Sequence, residues 1–281
     1  MGAFDPRVTP ARSDLAAHEL EGKVAAPRYV AGRTYEVIDP QAPVRGEPRP
    51  DAEMTTEALR GERVTVYDMN AEGWAWGQLV ADRYVGWLAA NALAAAGAPP
   101  THKVSALRTL AFPGPSIKLP PLTGLPLGAR LKVVRIADPM AVTDAGAYLP
   151  LTHLMPVDRF EIDFVAVAER FLGAPYLWGG KTVLGVDCSG LVQIALTACG
   201  LACPRDSDMQ EAALGSAVEV GGAVTNWQRG DLIFWKGHVA IVRDGATLIH
   251  ANAFHMAVTI EPIAEAIARI GGAVTSVRRI T

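Results

Sequence analysis

GVDCSGLVQIAL, residues 185–196, decides how the second half of the chain is read. A Gly-Val-Asp turn delivers Cys188 to the start of an apolar stretch that runs to Gly200. The pattern predicts a helix with Cys188 in its first turn. A sulfur there faces unpaired backbone N–H groups and the positive end of the helix dipole, which favour thiolate over thiol. Alone, such a cysteine is more often a small packed thiol than a nucleophile. Its neighbours further along the chain decide between the two.

Two histidines follow in strand-like runs. His238 opens HVAIV (238–242), just after GDLIFW (230–235), and His250 lies in TLIHAN (247–252). A thiol nucleophile needs a base within hydrogen-bond reach, and the base needs a third polar group to orient it. Cys188, His238 and His250 fill these roles in order. The turn between the strands, around Arg243, Asp244 and Gly245, imposes a condition. A two-residue Asp-Gly loop would pair His238 with Ala251 and put the histidines on opposite faces. A three-residue loop with Gly245 in the left-handed position would set His238 directly across from His250. The catalytic reading predicts the second hairpin.

Working outward, the pattern after Asp158 is helical. Phe160, Phe164, Val167, Ala168 and Phe171 share one face, and Asp158 with Glu161 reads as a capping box. Gly173, Gly179 and Gly180 break the chain around Tyr176 and Trp178; later a helix near 262–270 begins at Pro262 and the strand VTSVRRI follows. Residues 158–281 therefore read as an α+β domain whose antiparallel sheet packs on the nucleophile helix.

Toward the N-terminus the composition changes: sixteen of the twenty prolines fall in the first 150 residues. After an N-terminal extension (1–35), residues 36–97 contain RVTVYD, WAWGQLV and RYVGWL, alternating strands separated by Gly, Asp and Asn, as in a small all-β barrel. Trp74, Trp76 and Trp87 are expected to fill its core. Residues 98–157 are looser, with seven prolines between Pro99 and Pro126, then LKVVRIA and AYLPLTHL. They read as a second, degenerate barrel, because those runs are too apolar for a solvated linker.

Composition excludes several classes. Half the 281 residues are hydrophobic, 20 % are charged, and the net charge is −3, so the chain is globular, with no basic footprint for nucleic acid. The first residues carry charges and prolines where a signal peptide needs an apolar core, and no run approaches transmembrane length. A cytoplasmic location and no membrane partner are expected. Cys188, Cys199 and Cys203, an odd number within sixteen residues, fit a reducing compartment. Cys199 and Cys203 read as structural thiols, and a zinc site is disfavoured because no close His pair or second Cys pair accompanies them.

APYLWGG, VDCSGLVQ, GDLIFW, HVAIV and LIHA, in this order over roughly residues 158–281, resemble the NlpC-type, papain-like cysteine peptidases of bacterial cell-wall metabolism. YVGWL resembles a bacterial SH3-like domain. The resemblance implies two SH3-like barrels followed by an α+β papain-like domain, with Cys188 as nucleophile, His238 as base, His250 as orienting residue and Tyr176 on the oxyanion side. No metal or organic cofactor is implied. In the branch with SH3-like domains, the implied substrate is the γ-D-glutamyl to diamino acid bond of murein peptides with a free N-terminal L-Ala, for example L-Ala-γ-D-Glu-meso-diaminopimelate.

Arg205, Asp206 and Ser207, in PRDSD, follow the nucleophile helix by a short link and are the expected substrate-binding segment. Asp206 would meet an ammonium, and Arg205 a carboxylate or Asp206 itself. A solvated turn with an internal ion pair is the alternative. In the same branch an acid and a tyrosine of the first SH3-like domain close the amine end of the pocket; Glu57 and Tyr84 match those positions, against the alternatives of a surface acid and a packed aromatic. Recycling of imported muropeptides would follow. Two rivals stand: a non-catalytic wall-peptide binder, and an amidase or acyltransferase using the same Cys and His chemistry. His18, His102, His153 and His255, lacking partner spacing, read as solvated or structural, and Asp187 and Ser189 as turn-shaping.

Overall fold

The computed structural model describes residues 4–218 and 226–280. The chain divides into two compact units, Met1–Val157 and Asp158–Thr281. The division falls where the proline-rich half ends. No helix among the described residues is long and apolar enough to cross a membrane.

The N-terminal unit is strand-built. Seven strands form one antiparallel sheet in the order Met54–Leu59, Gln41–Arg45, Val85–Ala89, Trp74–Leu79, Arg63–Met69, Arg33–Val37, Leu93–Ala95. Its inward positions, among them Val37, Val44, Val64, Val66, Leu79 and Leu88, make one core. The tryptophans are not that core. Trp76 packs with Tyr67 against Leu15 and Ala17 of the N-terminal extension, and the Arg12 guanidinium lies 4.8 Å and 4.9 Å from the ring centres of Trp76 and Trp87. The extension thus covers the outer face of this sheet, a use of tryptophan that alternation alone does not reveal.

Residues 102–156 build short antiparallel pairings around a second core that includes Val104, Leu125, Leu131 and Leu149. This segment, with its own core, and the first sheet lie in one compact unit, and the Arg130 N–H donates to the Arg60 carbonyl across them at 2.8 Å.

The C-terminal unit has four helices, α1 (Phe164–Glu169), α2 (Cys188–Ala198), α3 (Ser207–Ala213) and α4 (Ile263–Ile270), among its described residues. Its antiparallel sheet comprises β1 (Ser216–Val218), β2 (Asp231–Trp235), β3 (His238–Val242), β4 (Thr247–Asn252), β5 (Ala257–Pro262) and β6 (Ser276–Arg279), in spatial order β1-β6-β2-β3-β4-β5. Every residue of β2 is buried, as is almost all of α2. The nucleophile helix packs on β3 and β4. α1 starts later than expected: Asp163, not Asp158, is its cap, accepting from the N–H groups of Val165 and Ala166 at 2.9 Å and 3.1 Å. Phe160 lies outside the helix, half exposed, with its ring over Gly200.

Candidate active site

α2 begins where the sequence places it because Asp187 caps it. The Asp187 carboxylate accepts from the Gly190 N–H at 2.7 Å and the Gly179 N–H at 2.8 Å, tying the 173–180 loop to the helix start. Only glycine fits there: a Cβ on Gly190 would stand 2.2 Å from the Gly180 carbonyl oxygen. Cys188 is the first helical residue, 8 % exposed.

The two histidines meet on one face, by a register different from the expected one. Ile241 pairs with Ile249 and Val242 with Leu248, so the loop is Asp244–Ala246, and Asn252 rather than His250 stands level with His238. Gly245 does not adopt a left-handed conformation. Asp244 makes the turn instead, accepting from the N–H groups of Ala246 and Thr247 at 2.9 Å and 2.7 Å. Because strand faces repeat every two residues, this shift keeps the histidines on the same face as diagonal neighbours. His238 Nε2 lies 2.9 Å from His250 Nδ1. His238 also pairs across the tight β2–β3 turn with Trp235, whose ring centre is 5.7 Å away.

Behind His250 stands a residue that sequence reading missed. Glu261 on β5 accepts from or pairs with His250 Nε2 at 2.6 Å, and Arg269 of α4 donates to it through Nε at 3.2 Å. Glu261 falls two residues beyond Thr259, the register partner of His250, so it shares the same face. Only the strand register reveals it.

Cys188 begins the helix that packs on the two histidine strands. Its sulfur accepts from the backbone N–H of Val239, the residue after His238. Tyr176, held by its N–H to the Met256 carbonyl at 2.9 Å, feels the charge of Cys188. Burial, then Cys188 and Asp187, push its hydroxyl up to about 12. The Val239 contact brings Cys188, with Tyr176 near it, to the strand that carries His238, whose ring meets that of His250.

Burial opposes the preference of the helix start for thiolate. Burial, with Asp187 next, pushes the Cys188 thiol up to about 11, against the opposing Val239 and Ser189 N–H groups and Arg205. Burial, then His250 and Arg269, push His238 down to about 3, with Glu261 opposing. A helix N-terminus is worth roughly 0.3–1 kcal/mol, less than one pKa unit, and is outweighed by burial. Both shifts favour the neutral thiol and the neutral imidazole.

Arg205 has a different job from the expected one. It is 1 % exposed and donates to both oxygens of Asp187, at 2.9 Å and 2.6 Å, and to Ser189 Oγ at 2.8 Å. A guanidinium buried in this way holds the helix start and does not face a substrate carboxylate. Asp206 and Ser207, both half-buried, begin α3, which is fastened to the same place by Gln210 donating to the Ser189 carbonyl at 2.9 Å. The segment is thereby carried to the mouth of the nucleophile helix.

Glu57 and Tyr84 belong to the other unit. Glu57 is 1 % exposed and accepts from Gln41 Nε2 at 3.0 Å, so it is not a surface acid. Tyr84 packs in the core with Val37, Val44 and Leu88. Of the histidines read as structural, His153 meets Thr109 Oγ1 at 2.9 Å, and His255 lies 4.0 Å from Glu261. Among the described residues, no group of three or more His, Cys, Asp or Glu is placed to hold a metal ion.

A buried thiol at a capped helix start, packed on the strands that carry a hydrogen-bonded imidazole pair, is the equipment of a thiol enzyme. Residues 173–270 match the NlpC/P60 family, and residues 44–93 match the bacterial dipeptidyl-peptidase SH3 domain. The chain thus joins an N-terminal SH3-like domain to a C-terminal NlpC/P60 domain. It is 33 % identical over 100 residues to dipeptidyl-peptidase 6 of Lysinibacillus sphaericus, covering 36 % of this chain and 35 % of that protein. To a gamma-D-glutamyl-L-lysine dipeptidyl-peptidase of Bacillus cereus it is 35 % identical over 109 residues, covering 36 % and 31 %. The matches thus span about a third of these relatives' length. A crystal structure of an NlpC/P60 family protein from Bacillus cereus superposes with a TM-score of 0.73 at 22 % identity, covering 88 % of this chain and 99 % of that one, and shows the same fold.

Proposed function

We propose that the protein is a cysteine peptidase that hydrolyses the γ-D-glutamyl to diamino acid bond of murein peptides carrying a free N-terminal L-Ala. The observation that carries this reading is the hydrogen-bonded row His238, His250 and Glu261, on the sheet whose Val239 N–H reaches the Cys188 sulfur. The relative named gamma-D-glutamyl-L-lysine dipeptidyl-peptidase supports the bond type, and the one named dipeptidyl-peptidase 6 supports a peptidase.

The chemistry starts from the neutral pair. As the Cys188 sulfur attacks the γ-carbonyl carbon, its proton passes to His238. Backbone N–H groups at the start of α2 and the Tyr176 side meet the oxyanion. His238 then gives the proton to the leaving amine of the diamino acid, and the L-Ala-γ-D-Glu acyl group remains as a thioester. Water, deprotonated by His238, cleaves the thioester and restores the thiol. His250 and Glu261 hold the imidazole and stabilise its transient positive charge.

For substrate choice, Asp206 is the candidate partner for the free ammonium, with Ser207 beside it at the start of α3. A requirement for a free amine would direct the enzyme to released peptides, and hence to muropeptide recycling in the cytoplasm. The test is mass-spectrometric: the protein and Cys188→Ala are incubated with L-Ala-γ-D-Glu-meso-diaminopimelate and its N-acetylated form. Release of L-Ala-γ-D-Glu from the free-amine peptide alone is expected. Equal cleavage of both would remove the amine-reading role of Asp206, and cleavage of neither would remove the peptidase.

A further inference from the structure

We propose that Glu261, acting through His250, sets which ring nitrogen of His238 carries the proton and leaves His238 Nδ1 bare and free to act as a base. Its effect on rate rests on the peptidase reading above; the tautomer does not.

The inference follows from the donor and acceptor count along one hydrogen-bonded row. Arg269 donates to Glu261 through Nε at 3.2 Å and through its terminal nitrogen, while its guanidinium lies 4.5 Å from the Phe254 ring centre. Burial alone would raise the Glu261 carboxyl, but Arg269 and His250 together hold it below the usual carboxylate range, so it is ionised at neutral pH. An ionised carboxylate only accepts hydrogen bonds. His250 Nε2, 2.6 Å away, must therefore carry a hydrogen. Burial keeps His250 neutral against the pull of Glu261, so its single ring hydrogen is spent and Nδ1 is an acceptor. That Nδ1 is 2.9 Å from His238 Nε2, which must donate. Neutral His238 then has its lone pair on Nδ1. Were the third group a donor, every bond in the row would reverse and the base nitrogen would be blocked.

Glu261 is thus a positioning residue two hydrogen bonds from His238, and its charge rather than its volume is the working property. His255, 4.0 Å from the other carboxylate oxygen, is the remaining titratable neighbour of Glu261 in this row.

The experiment uses the full chain labelled with imidazole 15N-histidine, with long-range 1H–15N spectra recorded at neutral pH for wild type, Glu261→Leu and Glu261→Gln. Signals are assigned with His238→Gln and His250→Gln. Wild type is expected to show His238 as the single tautomer with hydrogen on Nε2. In both Glu261 variants that tautomer should give way to a mixture. Turnover of L-Ala-γ-D-Glu-meso-diaminopimelate should fall on the order of 10- to 100-fold in kcat, with KM changed less than about twofold. The Gln variant keeps the side-chain volume and carries the test if the Leu variant does not fold. Wild-type His238 protonated on Nδ1, or a folded variant that keeps the wild-type tautomer whatever its rate, would overturn the proposal. Failure of the unmodified protein to cleave any murein peptide would remove the peptidase reading while the spectra still decide the tautomer.

Discussion

Cys188 illustrates how burial can reverse a local electrostatic argument. Its place at a helix start favours thiolate, yet the buried sulfur beside Asp187 has its thiol pushed up to about 11. The alkylation rate of Cys188 with iodoacetamide should therefore be low at neutral pH and rise through the alkaline range. A plateau of high reactivity extending into acid would show a resting thiolate and contradict this. Arg205 carries a second expectation. Arg205→Met leaves Asp187 buried without its bidentate partner, and removing one member of a buried pair costs about 3–5 kcal/mol; denaturant unfolding should show a loss of that order. A loss within about 0.5 kcal/mol would mark the pair as a surface-like one.

At the level of elements, the parts set by local chemistry were legible and the parts set by tertiary pairing were not. The helix at Cys188, the two histidine strands and the α4 helix after Pro262 follow from period, cap and breaker residues. The α1 cap was misplaced because Asp158 and Asp163 both precede apolar positions, and only folding shows which carboxylate reaches free N–H groups. Asp163→Ala should cost about 1 kcal/mol in thermal or denaturant unfolding, and Asp158→Ala close to nothing. The hairpin shows the same limit: its face assignment was right, but the choice between loop placements lay with the Asp244 turn. Glu261 was invisible for that reason, since nothing local to it points at His250. PRDSD read as a substrate-binding segment, with a solvated turn as the alternative, whereas the fold buries Arg205 against Asp187. Gly190→Ala would force a Cβ to 2.2 Å from a backbone oxygen, so it should abolish activity or folding, whereas Gly272→Ala, with open space around it, should leave both intact.

For the whole molecule, buried titratable groups define the pH range of stability. His238 is held down to about 3 from an ordinary value of 6.5, and His250 is lowered too. Below 6.5 the unfolded chain binds protons that the folded one refuses, so stability is lost as pH falls from 6.5 toward 3. Cys188 and Tyr176 are raised, to about 11 and about 12. The unfolded chain releases those protons first, so stability also falls as pH rises above 9. Unfolding midpoints recorded across pH should form a plateau near neutrality with both flanks declining, and His238→Gln should lessen the acid decline. An unchanged acid flank in that variant would show that other groups carry it.

A thioester route through Cys188 can be read from the intact mass of protein quenched in acid during turnover of L-Ala-γ-D-Glu-meso-diaminopimelate. An added L-Ala-γ-D-Glu acyl group on the peptide that contains Cys188 is expected, and neither adduct nor cleavage with Cys188→Ala. Cleavage by Cys188→Ala at the wild-type rate, with no acyl group on Cys188 in the unmodified protein, would contradict it.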